Sequence, residues 1–380
     1  MKTWRRATAV TLGGALAATA AIVGQSAIAS PSSPSGHGNV AKASTTMKDA
    51  FADSAKEFGV PRDLLVAVAY GESHLNGHHG QPSNDNGYGV MHLVSNPERH
   101  TLETAAKLTG ESTGHLKRLD AANIRGGAAL LRHYADSAGL SAADRRDAGK
   151  WYPAVARYGV AKAAHGASKG GPLARFYADN AYSFLHKGIS QKPSGKGEPT
   201  VRIAPSKVTP DRGGYAHVED VGTKSPDYPD AKWVPANAAN FQKGRTDKIT
   251  TVVIHTTEGS YAGTIQWFQN PQAETSAHYV VRSNDGEVTQ MVRDGDTAWH
   301  AKGGNAYGIG VEHEGYVNDA KWYTDAMYRS SAALVKHLCD AHQIPKDRKH
   351  IVGHSEVPGN DHTDPGPHWD WDKYMKLVNS

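Results

Sequence analysis

Thr251-Val252-Val253-Ile254-His255-Thr256-Thr257 is the stretch on which the fold turns. Four residues, mostly β-branched, read as a strand. The strand ends on a histidine, and the two threonines after it mark where a cleft can begin. Far downstream comes Gly353-His354-Ser355-Glu356-Val357, and soon after it Thr363-Asp364-Pro365-Gly366-Pro367. The proline and glycine of that turn constrain the direction of the Asp364 carboxylate. Two imidazoles and a carboxylate, with no fourth protein donor evident, form the donor set of a catalytic zinc site, whose remaining position belongs to water. The leading reading is a hydrolase.

The chain has 380 residues, too many for one ordinary compact domain, so two domains with linkers are expected. A hydrophobic share of 38%, with 40 Gly and 19 Pro, points to many loops. The net charge of +4 is small for this length, and no dense Lys/Arg stripe with interleaved aromatics is present. Nucleic acid is therefore not an expected partner. The 21 histidines are the more telling excess. The single cysteine, Cys339, falls on the apolar face of a helix pattern and reads as core packing.

Residues 1–29 have the three parts of a secretory signal. Lys2, Arg5 and Arg6 are basic, Leu12 to Val23 is a short apolar run, and Ala27-Ile28-Ala29 offers a small-residue cleavage site. The run is shorter than the ~20 residues a membrane span needs. An exported, extracellular or cell-wall protein without a stable membrane anchor is expected, as a monomer.

Residues 30–42 are Ser/Pro/Gly-rich and read as disordered. A helical period begins at Met47, Phe51, Ala55 and Phe58, with Ser44-Thr45-Thr46 as caps. Further helical segments fall near 64–69, 102–108, 122–135 and 174–185, and no strand is expected between 43 and 186. Residues 187–229, rich in Gly, Pro, Lys, Ser and Asp, read as an extended linker. From 230 to 380 strands are expected at 251–255, 277–282, 287–293 and 308–313, and helices at 261–269, 325–342 and 369–378. Asn284-Asp285-Gly286 marks a hairpin. The expected architecture is an α-rich N-terminal domain (43–186) followed by a mixed α/β domain with a central sheet flanked by helices.

The C-terminal domain resembles the zinc-dependent N-acetylmuramoyl-L-alanine amidases of the type 2 family, which share their fold with peptidoglycan recognition proteins. The carriers are Val253-Ile254-His255-Thr256-Thr257, Ser276-Ala277-His278-Tyr279, Ala298-Trp299-His300-Ala301, Ile309-Gly310-Val311-Glu312, and Gly353-His354-Ser355 with Thr363-Asp364-Pro365-Gly366-Pro367. The resemblance implies His255, His354 and Asp364 as Zn2+ ligands and Glu312 as the catalytic glutamate. It implies cleavage of the amide between N-acetylmuramic acid and L-alanine in peptidoglycan. Where relatives often carry an oxyanion-steadying lysine, this chain has His362. An imidazole can donate the same bond only when it carries a proton on the right nitrogen.

Plainer alternatives attach to several of these residues. Glu314 competes with Glu312, His368 could compete as a ligand, His278 and His300 suit either the cleft or the core, and Trp299 and Tyr307 suit sugar stacking or packing.

In the N-terminal domain, Tyr70-Gly71-Glu72-Ser73, Gly87-Tyr88-Gly89-Val90-Met91-His92-Leu93, Asn123-Ile124-Arg125-Gly126-Gly127 and Ala154-Val155-Ala156-Arg157-Tyr158-Gly159 resemble the lysozyme-like lytic transglycosylase domains. The family's Met-Gln step is Met91-His92 here, and its Tyr-Asn pair is Tyr158-Gly159. The resemblance implies Glu72 as the acid that cuts the glycan strand, and Asp85 is the candidate second carboxylate. The alternative is a domain that only grips the strand. A helix with Leu65 and Val68 that ends at Glu72 would set this carboxyl at a cleft edge among apolar neighbours, which raises a pKa. For the whole chain, a peptidoglycan hydrolase is weighed against a non-catalytic peptidoglycan-binding protein and a zinc peptidase acting on stem peptides. No His-Glu-x-x-His helix is present.

Overall fold

The computed structural model describes residues 46–160, 172–215 and 223–380. The expected signal segment and the tract at 30–42 lie outside these residues. These described residues cluster as one compact unit. Among the described residues no helix is long and apolar enough to cross a membrane.

The N-terminal part is helical: α1 (Met47–Phe58), α2 (Arg62–Ser73), α3 (Thr101–Thr109), α4 (Thr113–Arg118), α5 (Asp120–Ser137), α6 (Tyr152–Tyr158) and α7 (Pro172–Lys187). Local chemistry sets the helix ends. The Thr46 side chain accepts from Asp49 N at the start of α1, and Gly59 closes that helix at φ 64, in the left-handed region that glycine enters without strain. Leu64, Leu65 and Val68 of α2 pack with Ile124 and Leu130 of α5 and Phe184 of α7 in one buried cluster. Contrary to expectation, this part contains a ribbon of two-residue strands, β1 (Gly87–Tyr88) and β2 (Leu93–Val94). Strands so short leave no period to read.

The stretch expected to be an extended linker also carries structure. β3 (Ile189–Gln191) pairs antiparallel with β4 (Val201–Ile203), and Ile189, Val201 and Ile203 are buried in the helical core. Three aliphatic side chains anchor a segment whose overall composition suggested free chain.

The C-terminal part is built on a seven-strand mixed sheet of β5 (Thr223–Lys224), β6 (Lys232–Trp233), β8 (Thr251–Thr256), β9 (Tyr279–Val281), β10 (Val288–Gln290), β12 (Gly308–His313) and β13 (Ile351–Gly353). Its order is β13-β8-β12-β9-β10-β6-β5, with β8, β9, β12 and β13 mutually parallel where they pair and β9–β10 the predicted hairpin. A separate ribbon joins β7 (Phe241–Gln242) to β11 (Thr297–Ala298). Helices α8 (Tyr261–Gln269), α9 (Asp325–His342) and α10 (Trp371–Val378) flank the sheet.

Side chains alternate across a strand, so the two faces have different tasks. Val252, Ile254, Ile309 and Val311 pack against Leu334 and Leu338 of α9 on one face. Full burial of such side chains contributes roughly 2 kcal/mol each. That face holds the sheet, and the other is free to carry His255 and Glu312. Cys339 is buried in the same α9 cluster, in agreement with a packing role.

Helical part and sheet meet through polar and aromatic contacts. Arg282, 3% exposed, bonds both oxygens of Asp285 at 2.8 and 2.7 Å and also donates to Asn180 Oδ1 of α7. His74 at the end of α2 stacks between Tyr70 and Trp322, with centroids at 4.6 and 4.2 Å. Burial, then the Arg282 charge, lowers its pKa to about 3, so the sandwiched ring is neutral.

Candidate active site

The parallel β8–β12 register pairs His255 with Glu312, so both side chains emerge on the same sheet face. His354 follows the end of β13, the strand on the other side of β8. The turn after it brings Asp364 back, with Ser355 N donating to Asp364 O at 3.0 Å. One Asp364 oxygen lies 3.0 Å from His354 Nδ1 and the other 3.3 Å from His255 Nδ1. One donor atom from each of the three residues falls within 4.8 Å of the others, and all three residues are buried.

Electrostatics suit a cation. Burial lowers the His255 pKa, which favours the neutral imidazole a metal requires. Burial alone would raise Asp364, but hydrogen bonds from His255 and His354 prevail and hold it far below the usual carboxylate range. Thr256 N donates to Asp364 Oδ2 at 3.3 Å. On the far side of the His255 ring, Nε2 lies 3.0 Å from His300 Nδ1, a contact that fixes the ring's orientation. Gly310 permits that contact: a Cβ there would stand 2.6 Å from the His300 ring.

Glu312 carries a buried oxygen, Oε2, with no hydrogen-bond partner. Burial, then Asp364 and Glu258, raises its pKa well above the usual value. An unsatisfied carboxylate beside three cation donors is the mark of a group whose partner enters from outside. Its rival Glu314 is engaged in structure, accepting from Tyr261 N at 3.0 Å and Ser283 N at 2.8 Å.

His362 borders the same site, its ring stacked on His354 at 4.3 Å with a side chain 57% exposed. His368 is exposed and outside the triad. His278 is a buried framework residue whose Nδ1 accepts from Gly310 N at 3.0 Å. Trp299 and His300 line the groove.

Glu72 is 2% exposed and not at an open edge. Its neighbours are polar: Tyr177 donates its hydroxyl to Oε1, and His92 Nδ1 lies 3.2 Å from Oε2. His92 Nε2 in turn lies 2.9 Å from Asp85 Oδ1. The expected apolar surroundings are thus replaced by a row of carboxylate, imidazole and carboxylate.

Sequence reading gave no hint that the helical part reaches the site. The groove around the triad, about 520 Å³, is also lined by Ser83, Asn84, Asp85 and His92. Asn84 donates from Nδ2 to Thr257 O at 2.8 Å and from its backbone N to Glu258 O at 3.3 Å, holding the loop that leaves the His255 strand.

The N-acetylmuramoyl-L-alanine amidase family profile matches residues 245–367, which hold all three triad residues and Glu312. N-acetylmuramoyl-L-alanine amidase A of Achromobacter lyticus is 40% identical over 170 residues, covering 40% of this chain and 96% of that protein. The 1,6-anhydro-N-acetylmuramyl-L-alanine amidase AmpD of Escherichia coli (strain K12) is 38% identical over 112 residues, 27% of this chain and 58% of its own length. Among solved structures, a selenomethionine derivative of AmpD aligns over 39% of this chain and 94% of its own, with 28% identity and a TM-score of 0.34. The chain belongs to the N-acetylmuramoyl-L-alanine amidase family and is an enzyme of that amidase class.

Proposed function

We propose that the protein is an exported zinc hydrolase of peptidoglycan that cleaves the amide between the lactyl group of N-acetylmuramic acid and the L-alanine of the stem peptide. The observation that carries the reading is the triad of His255, His354 and Asp364 beside the unpartnered Glu312 Oε2. Two imidazoles and one carboxylate fit Zn2+. When bound, the ion would polarise the amide carbonyl and lower the pKa of a bound water to about 7.

The chain's own residues supply the rest. With a cation held by the triad to offset burial, the ionised Glu312 would take the proton of the attacking water at Oε2 and return it to the leaving amine nitrogen. His300 keeps the His255 ring in place through Nε2. His362, which lines the groove edge, would donate a hydrogen bond to the developing oxyanion. The basic, apolar and small-residue pattern of residues 1–29 supports export.

For the helical part, the motifs around Glu72 support a lysozyme-like domain. The burial of Glu72 against His92 and Tyr177 favours holding the glycan over cutting it.

The test is digestion of purified peptidoglycan, with products identified by mass spectrometry. Stem peptides beginning with L-alanine should appear, and should vanish on chelation and in Asp364→Ala. Release that survives both treatments overturns the metal reading. New reducing or anhydro-sugar ends that disappear in Glu72→Gln would instead establish a second, glycan-cleaving site.

A further inference from the structure

Asp364 is carried by a turn, and two other segments form the mount behind that turn. The first leaves β8. Thr256 N donates to Asp364 Oδ2 at 3.3 Å, and Thr256 Oγ1 lies 3.1 Å from the Tyr323 hydroxyl, which donates to Pro365 O at 2.8 Å. The second is the 315–323 stretch after β12. Its Val317 lies against Gly366, where an added Cβ would stand 2.7 Å from Val317 Cβ, and Val317 N donates to Glu258 Oε1 at 2.8 Å. Gly259 and Gly315 exchange two backbone bonds of 3.2 Å, which joins the two segments.

The helical part grips both. Asn84 donates to Thr257 O from its side chain at 2.8 Å and to Glu258 O from its backbone at 3.3 Å. His78 stacks on Tyr316 with centroids 3.6 Å apart, Asn76 Nδ2 donates to Asp319 Oδ2 at 2.8 Å, and His74 stacks on Trp322. All these groups come from residues 74–84, directly after α2.

The grip falls on the sequence neighbours of the groups that touch the Asp364 turn. Thr257 and Glu258 follow Thr256, while Tyr316 and Trp322 adjoin Val317 and Tyr323. The backbone on both sides is held in costly conformations. Glu258 has φ 47, and His74, Leu75, His78 and His79 have φ between 47 and 61. Non-glycine residues stay in this left-handed region where their surroundings hold them. Here the surroundings include the opposing part of the chain, for Asn84 N meets the carbonyl of Glu258 itself. Groups behind a metal ligand set its direction and hence the affinity of the site.

We propose that residues 74–84 are a built-in brace for the metal site, with Asn84 a positioning residue that sets Asp364 through the Thr256–Glu258 loop. The amidase centre of this chain is completed by its helical part. The brace rests on the metal reading above for the identity of the ion, while its hold on the loop is measured without turnover.

Zinc affinity of the full chain is measured by competition against a chelator, with the urea midpoint of the apo protein as control. Asn84→Ala and Asn76→Ala should each weaken zinc binding about fivefold, the low end of coupling between two sites. Gln266→Ala removes the acceptor for Arg99 Nη1, 3.1 Å away, and so loosens the same two parts at α8, outside the mounting segments. Its zinc affinity should match wild type. Unchanged affinity in Asn84→Ala, or an equal loss in Gln266→Ala, overturns the brace and leaves Asn84 as packing between the two parts. Coupling is reciprocal, so wild type alone gives a second reading that stands even if the variants fail to fold. Zinc should slow hydrogen exchange at the Asn84 amide about fivefold more than at the Met91 amide, which is bonded within the helical part to Asn123. Equal slowing at the two amides overturns the proposal. Loss of zinc affinity in Asn84→Ala, with no stem-peptide release by zinc-loaded wild type, would sink the amidase reading and leave the brace standing.

Discussion

Glu312 lies in direct register with His255 on the adjacent parallel strand, so one β-pairing sets the distance between a triad histidine and the unpartnered carboxylate. The neighbouring pairs, Ile254 with Val311 and Val252 with Ile309, point to the opposite face and are fully buried. A one-residue slip would exchange the faces and bury the polar pair in the apolar core. The site is thus held by the same register as the sheet.

Glu312→Gln should keep the fold and the metal affinity while lowering turnover by roughly 10² to 10⁴, the usual worth of general acid–base catalysis. Glu314→Gln should do the reverse. It weakens acceptors for Tyr261 N and Ser283 N, and costs about 1–3 kcal/mol of stability with a smaller effect on turnover. Urea unfolding and peptide-release rates on both variants check the pair. Loss of turnover confined to Glu314→Gln would reverse the assignment.

Gly310→Ala tests the support behind the ligands. The new Cβ would press on the His300 ring, which holds His255 Nε2. Loss of such an outer contact costs about tenfold or more in metal affinity. Competition against a chelator is the measurement, with the unfolding midpoint of the apo protein as control. Unchanged affinity would show that the His300 contact does not orient His255.

Much of this was legible because it is local. The 261–269 and 325–342 helices begin at Ser260 and Thr324, each capping by its own side chain. The 308–313 strand and the Asn284-Asp285-Gly286 hairpin also form where the sequence predicts. The three donors share a motif order, and the fold brings them together. What escaped reading is held by long-range contacts. The β6 and β13 strands are two and three residues long, defined by their partners and not by a period of their own. The Asn84 contact with Thr257 spans 173 residues, and no local pattern signals it.

The Asp85–His92 pair predicts a definite pH dependence of stability. Asp85 is lowered from 3.8 to about 2, with His92 overcoming the effect of burial, so its contribution is present above about 4 and lost as pH falls through 2. His92 is raised from 6.5 to about 10, so its contribution is full below about 6.5 and lost as pH rises through 10. Both contributions are complete only between about pH 4 and 6.5. Urea midpoints measured from pH 3 to 10 should fall on both sides of that window in wild type. His92→Gln should flatten the alkaline limb. An alkaline limb of equal slope in the variant would locate the titration elsewhere.

His362 is the last residue whose role a simple exchange can decide. Its ring lies against His354, and its side chain is more than half exposed at the groove edge. If it donates a hydrogen bond to the oxyanion, a lysine ammonium in its place can do the same and an alanine cannot. Turnover should therefore largely survive in His362→Lys. His362→Ala should lose on the order of 10² in kcat, as other oxyanion donors do. A structural role predicts a different outcome, in which the Lys and Ala variants lose turnover alike because neither stacks on His354. Equal kcat values for the two variants would remove His362 from the reaction and leave it as packing for a ligand histidine.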